Sequence, residues 1–436
     1  MVETLRLGDH CEKIGSGATP RGGKDSYSQC GPVTLIRSQN VHNDRFYHPG
    51  LARISHEQAA QLQNVEVKHG DILLNITGDS VARACQVDME VLPARVNQHV
   101  AIIRPKPDEI EPRFLRYYLV TPYMQSQMLG LAAAGATRDA LTKSMVEDFR
   151  IPAFDIGTQR AIACVLGALD DKIEENRRTN KTLEAIARIV FLDWFVDFGP
   201  TRAKMEDRAP YLSNEIWSLF PDHLADGGIP DGWAMRSLRD LADILSGGTP
   251  SKAVSSMWNG DIPWISPKVM ADIHVSGSED RVTASAIGNG TRIAPNGSTL
   301  LMVRGMGLHQ GVRISQARRD VAFNQDVKAF VPKDVEPSLL LFAMLSIAPS
   351  LFERVESSGH GTGKLPTEVI ESCQFAIPPP CVRTRLASYI DNINERIASS
   401  VAEAESLASI LDLLLPKLMS GEIRIKDAEK MVGEAT

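Results

Sequence analysis

Residues Gln159–Pro200 read QRAIACVLGALDDKIEENRRTNKTLEAIARIVFLDWFVDFGP, and the spacing within them decides the fold. Apolar residues fall at Ile162, Leu166, Leu169 and Ile173, then again at Leu183, Ala187, Val190 and Trp194. Alternating steps of four and three make a heptad seam on one long helix. Asn176 and Asn180 take the seam positions between the two blocks. No proline interrupts Gln159–Phe198, and the one interior glycine, Gly167, costs a helix only about 1 kcal/mol. From Gln159 to Trp194 the helix would run roughly 50 Å. A stripe this narrow needs a partner helix.

The partner lies in the same chain. Near the C-terminus, RTRLASYIDNINERIASSVAEAESLASILDLLLPKLMSGEI carries a second seam at Leu386, Ile390, Ile393, Ile397, Ser400, Ala404, Leu407, Leu411, Leu414 and Leu418. Ile162 and Leu386 are 386 − 162 = 224 positions apart, as are Ile173 and Ile397, and Leu183 and Leu407. The break in the seam recurs too, with Asn176 and Asn180 answered by Ser400 and Ala404. The chain is a tandem repeat of a large unit, each copy ending in a long helix.

Upstream of the helices the repeat continues. GSGATPRGG (Gly15–Gly23) is answered by SGGTPSK (Ser246–Lys252), and GDILLNITGDS (Gly70–Ser80) by NGSTLLMVRGMG (Asn296–Gly307). Asn97-Gln98 is answered by Asn324-Gln325, a polar pair suited either to packing a turn or to holding a phosphate. Each unit reads as short β-runs (VTLIRS, DILLNIT, HVAIIRP) among Gly, Pro and Asn, with a helical segment late in the unit at Pro112–Leu129 and Pro337–Glu356. The fold class expected is α+β: two similar loop-rich domains separated by two long helices packed as an antiparallel coiled coil, a pseudo-two-fold tandem repeat. The expected boundaries are a first domain over 1–155, a helix over 156–200 and a turn-rich linker over 201–232, followed by a second domain over 233–380, a second helix over 381–425 and a frayed tail over 426–436.

Composition bounds the function. With 43% hydrophobic and 23% charged residues over 436 positions, the chain is ordinary globular material for two to four domains. No apolar run reaches the roughly eighteen residues of a membrane span, and from the polar start no signal peptide is expected. Cys11, Cys30, Cys85, Cys164, Cys373 and Cys381 show no CxxC or zinc spacing and read as reduced thiols, so a cytoplasmic location is expected. A net charge of −7 does not advertise a nucleic-acid binder. Gly359–Lys364 glances at a phosphate loop, but Ser358 stands where its first glycine belongs and Leu365 where Ser or Thr belongs. The histidines form no HxH or HExxH cluster, so neither a catalytic nor a metal site is expected.

FLDWFVDFGPTRAK (Phe191–Lys204), LFPDHLADGGIPDGW (Leu219–Trp233) and the SGGTPSK loop together resemble the specificity subunit of type I restriction-modification systems. The resemblance spans essentially the whole chain, in that family's order of target recognition domain, long helix, second domain and second helix. It implies a non-catalytic DNA-recognition subunit in which each domain reads half of an asymmetric bipartite site and the helices set the spacer. Partners then direct adenine methylation and restriction: double-stranded DNA, two methyltransferase subunits and restriction (motor-nuclease) subunits, with no membrane. No cofactor is expected on this chain, while S-adenosylmethionine, ATP and Mg belong to the partner subunits. The rival reading is a coiled-coil scaffold with paired protein- or glycan-binding domains.

Base reading needs forked donors and acceptors on loops. Candidates in the first unit are Arg21, Lys24, Arg37, Gln39, Asn40, Asn75, Thr77, Arg83, Arg138 and Lys143, and in the second Lys252, Lys268, Arg304, His309, Gln310, Arg313 and Lys364. Ile189, Phe191, Leu192, Phe195, Val196 and Phe198 make the end of the first helix apolar nearly all round, more than one seam can bury. Phe191, Phe195 and Phe198, with Leu415 and Met419 on the second helix, are therefore candidates for binding a partner, the alternative being docking on the chain's own linker.

Overall fold

Asp155 starts the first long helix by accepting the Thr158 N–H at 3.0 Å, and the helix then runs unbroken over Ile156–Phe195. The second starts at Pro380, whose fixed φ suits a first turn, and runs to Ser420. The computed structural model describes residues 3–20, 27–28, 30–43, 45–133, 140–357 and 361–433. It forms two units, Met1–Glu174 with Ala404–Thr436, and Glu175–Glu403, so that each long helix gives one half to each unit.

In the first unit, Cys11–Ser16, Val100–Pro105, Ile72–Asn75 and Ala84–Gln86 form an antiparallel sheet in that order. A second sheet, ordered Ala52–Ile54, Val33–Ile36, Ala94–Val96, Glu66–Val67, has a parallel pair at its centre. The run ILLN is buried throughout, its three aliphatic residues consecutive, because both faces of its sheet are covered. Ile72 and Leu74 face a core shared with the long helices, and Leu73 faces the core beneath the second sheet. Ile162, Leu166, Leu169 and Ile173 join Leu407, Leu414 and Leu418 in the shared core. Arg113 and Arg116 fix the domain to its helix, donating to Asp171 (2.5 Å) and Asp170 (2.9 Å), and Tyr117 Oη also donates to Asp170.

The second unit repeats this topology with other residues. Ala242–Ser246, Val327–Pro332, Thr299–Met302, Ile314–Ala317 and His274–Val275 form one sheet, the last an added edge strand parallel to its neighbour. Arg281–Val282, Trp258–Ile265, Val321–Phe323 and Ile293–Ala294 form the other, again with a parallel pair at its centre. The registers correspond: Asn75 opposes Val100, and 227 positions on, Met302 opposes Val327. Trp194, near the end of the first helix, meets Tyr389, near the start of the second, at 6.1 Å. The two helix segments of this unit therefore run antiparallel, with Ala187, Leu386, Ile390 and Ile397 in one cluster. Polar groups again join domain to helix. His274 Nε2 bonds Asn394 Oδ1 at 2.8 Å, Asn394 donates to Gln316 at 3.0 Å, and Arg318 donates to Glu395 at 2.7 Å. Within this seam Asn176 Nδ2, Asn180 Oδ1 and Ser400 Oγ are buried without partners, the polar break noted above.

Three expectations change. The late helical segment of the first unit is two helices, Pro112–Leu119 and Pro122–Ala133, because Pro122 cannot donate its missing N–H and starts a new one. The described part of the tail is not frayed: Ile425–Gly433 is helical and packs Ala428 and Val432 into the first unit's core. The linker is no bare connection either. It carries the helices Gly199–Met205 and Asn214–Trp217, and its Phe220 is buried with Trp233 against the end of the first long helix.

Candidate nucleic-acid interface

Five backbone segments meet at equivalent places in each unit, organised by the recurring Asn-Gln turn. Asn97 Oδ1 accepts the His99 N–H at 3.1 Å, and Asn324 Oδ1 accepts the Asp326 N–H at 3.0 Å. Both asparagines are buried, so of the two roles open to the pair, theirs is to pack a turn. Each turn crosses from one sheet to the other. The N–H of Asn97 reaches Ile36 O and that of Asn324 reaches Ile265 O, at 3.0 and 2.9 Å.

The glycine loops lie against these turns. A Cβ on Gly17 would stand 2.1 Å from Val96 O, and one on Gly247 would stand 2.2 Å from Asn324 O. Only glycine permits that approach. Thr249 Oγ1 then donates to Gln325 Oε1 at 2.5 Å. The segment after the central strand joins next, with Ile76 N–H bonded to His99 O (3.0 Å) and Val303 N–H to Asp326 O (2.8 Å). Thr77 bridges Ala140, and Arg304 pairs with Lys364 in the matching ladder. The last segment is a 3-10 turn, Ser38–Asn40 or Pro267–Val269, held by Asn75 Nδ2 to Ser38 O at 2.9 Å and by Arg313 Nη1 to Pro267 O at 2.6 Å.

The two frames match, but the side chains they present differ. Where the first unit has Gln39, Thr77, His99 and Ala140, the second has Lys268, Arg304, Asp326 and Lys364, while Gln98 and Gln325 are shared. Burial raises the Asp326 carboxyl above the usual carboxylate range, opposed by the Arg304 charge and the Asn324 hydrogen bond.

Several sequence candidates belong to the frame and not to its surface. Asn40 and Asn75 are fully buried: Asn40 Nδ2 donates to Tyr47 O at 2.9 Å, and Asn75 holds Ser38. Arg37 donates to Gly50 O at 2.5 Å and lies over the Tyr27 ring, and Arg313 is likewise tied to a carbonyl. His309 Nε2 bonds Gly361 O at 2.9 Å, and Lys143 pairs with Glu147 in its own short helix. Gln39 is exposed, with Nε2 donating to Gly50 O, and Thr77 Oγ1 meets His99 Nδ1 at 2.6 Å. Lys252, Lys268, Arg304, Gln310 and Lys364 are exposed, Arg83 is half-buried, and their side chains make no hydrogen bond or ion pair among the described residues. Arg21, Lys24 and Arg138 lie outside the described residues. Residue-type reasoning passed over His99 and Asp326, although the recurring Asn-Gln pair pointed straight at them.

The apolar helix end divides in two. Phe191, Phe195 and Phe198 are buried in the chain itself, with Phe195 and Phe198 against Trp233 at 5.6 and 5.9 Å, and Trp194 against Phe220 at 5.7 Å. Leu415 and Met419 are buried in the first unit's core. These five are therefore not an open partner surface, because the linker and the chain's own core cover them. Ile186, Ile189, Leu192 and Val196 remain exposed along the other helix face, Ile189 at 65%.

One group of potential metal ligands occurs among the described residues, His48, Asp88 and Glu90. Its atoms already serve one another: His48 Nε2 meets Asp88 Oδ2 at 2.9 Å, and Asp88 Oδ1 accepts the Glu90 N–H. Among the described residues no helix is long and apolar enough to cross a membrane.

Comparison with known proteins agrees with the repeat. The family described as type I restriction modification DNA specificity domain matches residues 1–185 and 230–405. The HindI type I restriction enzyme specificity subunit of Haemophilus influenzae is 26% identical over 443 aligned positions, covering 90% of this chain and 94% of that one. The MjaIX specificity subunit of Methanocaldococcus jannaschii is 26% identical, covering 77% and 74%. The crystal structure of a type I restriction-modification S subunit from M. genitalium shares the fold, with a TM-score of 0.54 at 14% identity over 95% of each chain. Two matched domains, each with its own copy of the turn-centred frame and its own long helix, make this chain a member of the type I restriction modification DNA specificity domain family, a specificity subunit with two recognition domains.

Proposed function

We propose that each unit presents its five-segment frame to one half of an asymmetric bipartite duplex site, and that the long helices set the number of unread base pairs between the halves. The observation that carries this reading is the frame itself, with equivalent hydrogen bonds supporting different side chains. A scaffold kept while its exposed groups diverge is what reading two different base sequences requires. The chain would contribute no chemistry of its own. Methyltransferase subunits would methylate adenine with S-adenosylmethionine, and restriction subunits would supply the ATP- and Mg-dependent steps.

The exposed face at Ile186, Ile189, Leu192 and Val196 supports docking of a methyltransferase subunit there. The net charge of −7 favours a division of labour, in which partner subunits neutralise most of the phosphates and this chain specifies the bases. Fluorescence anisotropy with a labelled duplex tests that division. The isolated chain should bind weakly at physiological salt and the complex tightly, with a steep salt dependence only in the complex. Nanomolar binding by the chain alone would contradict it.

A further inference from the structure

Arg304 and Asp326 leave the main chain side by side, since the N–H groups of Val303 and Arg304 both point at Asp326 O, at 2.8 and 3.3 Å. Even so, no ion pair joins the two side chains, and the Arg304 side chain is exposed and makes no hydrogen bond among the described residues. Asp326 is held in place, because Asn324 accepts its N–H at 3.0 Å and donates to its Oδ2 at 3.3 Å. The equivalent pair in the first unit is closed on itself, Thr77 Oγ1 to His99 Nδ1 at 2.6 Å.

A phosphate clamp would not place a fixed carboxylate beside its cation, because the carboxylate repels the ligand. A base pair, however, presents both requirements at once. Guanine offers O6 and N7 to a guanidinium, and the cytosine opposite offers its N4–H to a carboxylate. We propose that Arg304 and Asp326 together read one G·C pair in the half-site taken by the second unit, while Lys364, the ladder partner of Arg304, meets the backbone. The proposal rests on the reading of these loops as the DNA interface and adds the identity of one base pair to it.

The test uses the whole complex with its methyltransferase subunits and duplexes in which each position of the wild-type motif is varied in turn. What is read is the ratio of methylation rates across the four base pairs at one position, a quantity that uniform weakening leaves unchanged. Arg304→Ala should reduce the preference for G·C at a single position by roughly ten- to a hundred-fold. Asp326→Asn should alter preference at that same position, because a carboxamide also donates and suits adenine. Lys364→Ala should weaken all sequences equally and flatten the salt dependence. Unchanged ratios in Arg304→Ala and Asp326→Asn would overturn the pairing. His99→Ala separates the two levels. If it changes one half-site while both second-unit variants leave the other untouched, the base-pair assignment alone falls. If no variant changes any ratio although the wild type is motif-specific, the loops are not the interface.

Discussion

Asp71 is fully buried, and Arg104 holds both of its carboxylate oxygens, Nε to Oδ1 and Nη2 to Oδ2, each at 2.7 Å. The pair ties the turn before Ile72–Asn75 to the neighbouring strand. Register alignment places Ser298 and Val331 at the equivalent points of the second unit, at 71 + 227 and 104 + 227. The fold therefore does not require the pair, but once present it must be whole. Asp71→Ala should cost about 3–5 kcal/mol in chemical denaturation, because it strands a largely buried guanidinium. The double change Asp71→Ser with Arg104→Val, which copies the second unit, should cost clearly less than Asp71→Ala. A double variant at least as unstable as that single would show that the two frames are not interchangeable here.

Burial lowers His274 from its ordinary 6.5 to about 4, helped by the nearby Arg318 charge and opposed by the Asn394 hydrogen bond and Glu395. Above pH 6.5 the ring is neutral whether the chain is folded or not, so it has no effect on stability. As the pH falls towards 4 the unfolded chain takes up the proton first, and stability is lost. The full loss is on the order of 3 kcal/mol. Thermal melting of the wild type should therefore fall more steeply between pH 6.5 and 4 than that of His274→Gln. Parallel slopes would mean that the ring is not held neutral.

The end of the first long helix makes two separable predictions. Trp233→Ala removes the ring that packs on Phe195 and Phe198, and should destabilise the protein by about 3–5 kcal/mol. Ile189→Asp changes an exposed position and should move stability by no more than about 0.5 kcal/mol. If the exposed face docks a methyltransferase subunit, Ile189→Asp should nonetheless abolish co-purification of that subunit. Full assembly with Ile189→Asp would place the docking surface elsewhere.

The helices were legible because heptad spacing is a strong, long signal: Ile162, Leu166, Leu169 and Ile173 are buried as the seam requires. The runs VTLI, ILLN and VAIIRP showed as strands because both faces of their sheets are covered, leaving short stretches rich in consecutive aliphatic residues. The interface was less legible because residue type does not say where an amide's hydrogen bonds go. Asn40 and Asn75 look like base readers in sequence but hold backbone carbonyls, whereas His99 and Asp326 share no residue type and reveal their equivalence only through the turn beneath them. Phe220 and Trp233 are isolated aromatics in turn-rich sequence, so nothing local decided between the linker and a partner as the cover for the helix end. The tail's Ala428 and Val432 likewise gain meaning only from the core they enter.

The most direct test is genome-wide mapping of methyl-adenine in cells carrying this chain with its methyltransferase partner, against cells lacking the chain alone. A two-part motif with different halves and a fixed spacer, modified only when the chain is present, is the expected result. Identical methylation in both strains, with the complex intact, would contradict the assignment of sequence recognition to these two domains.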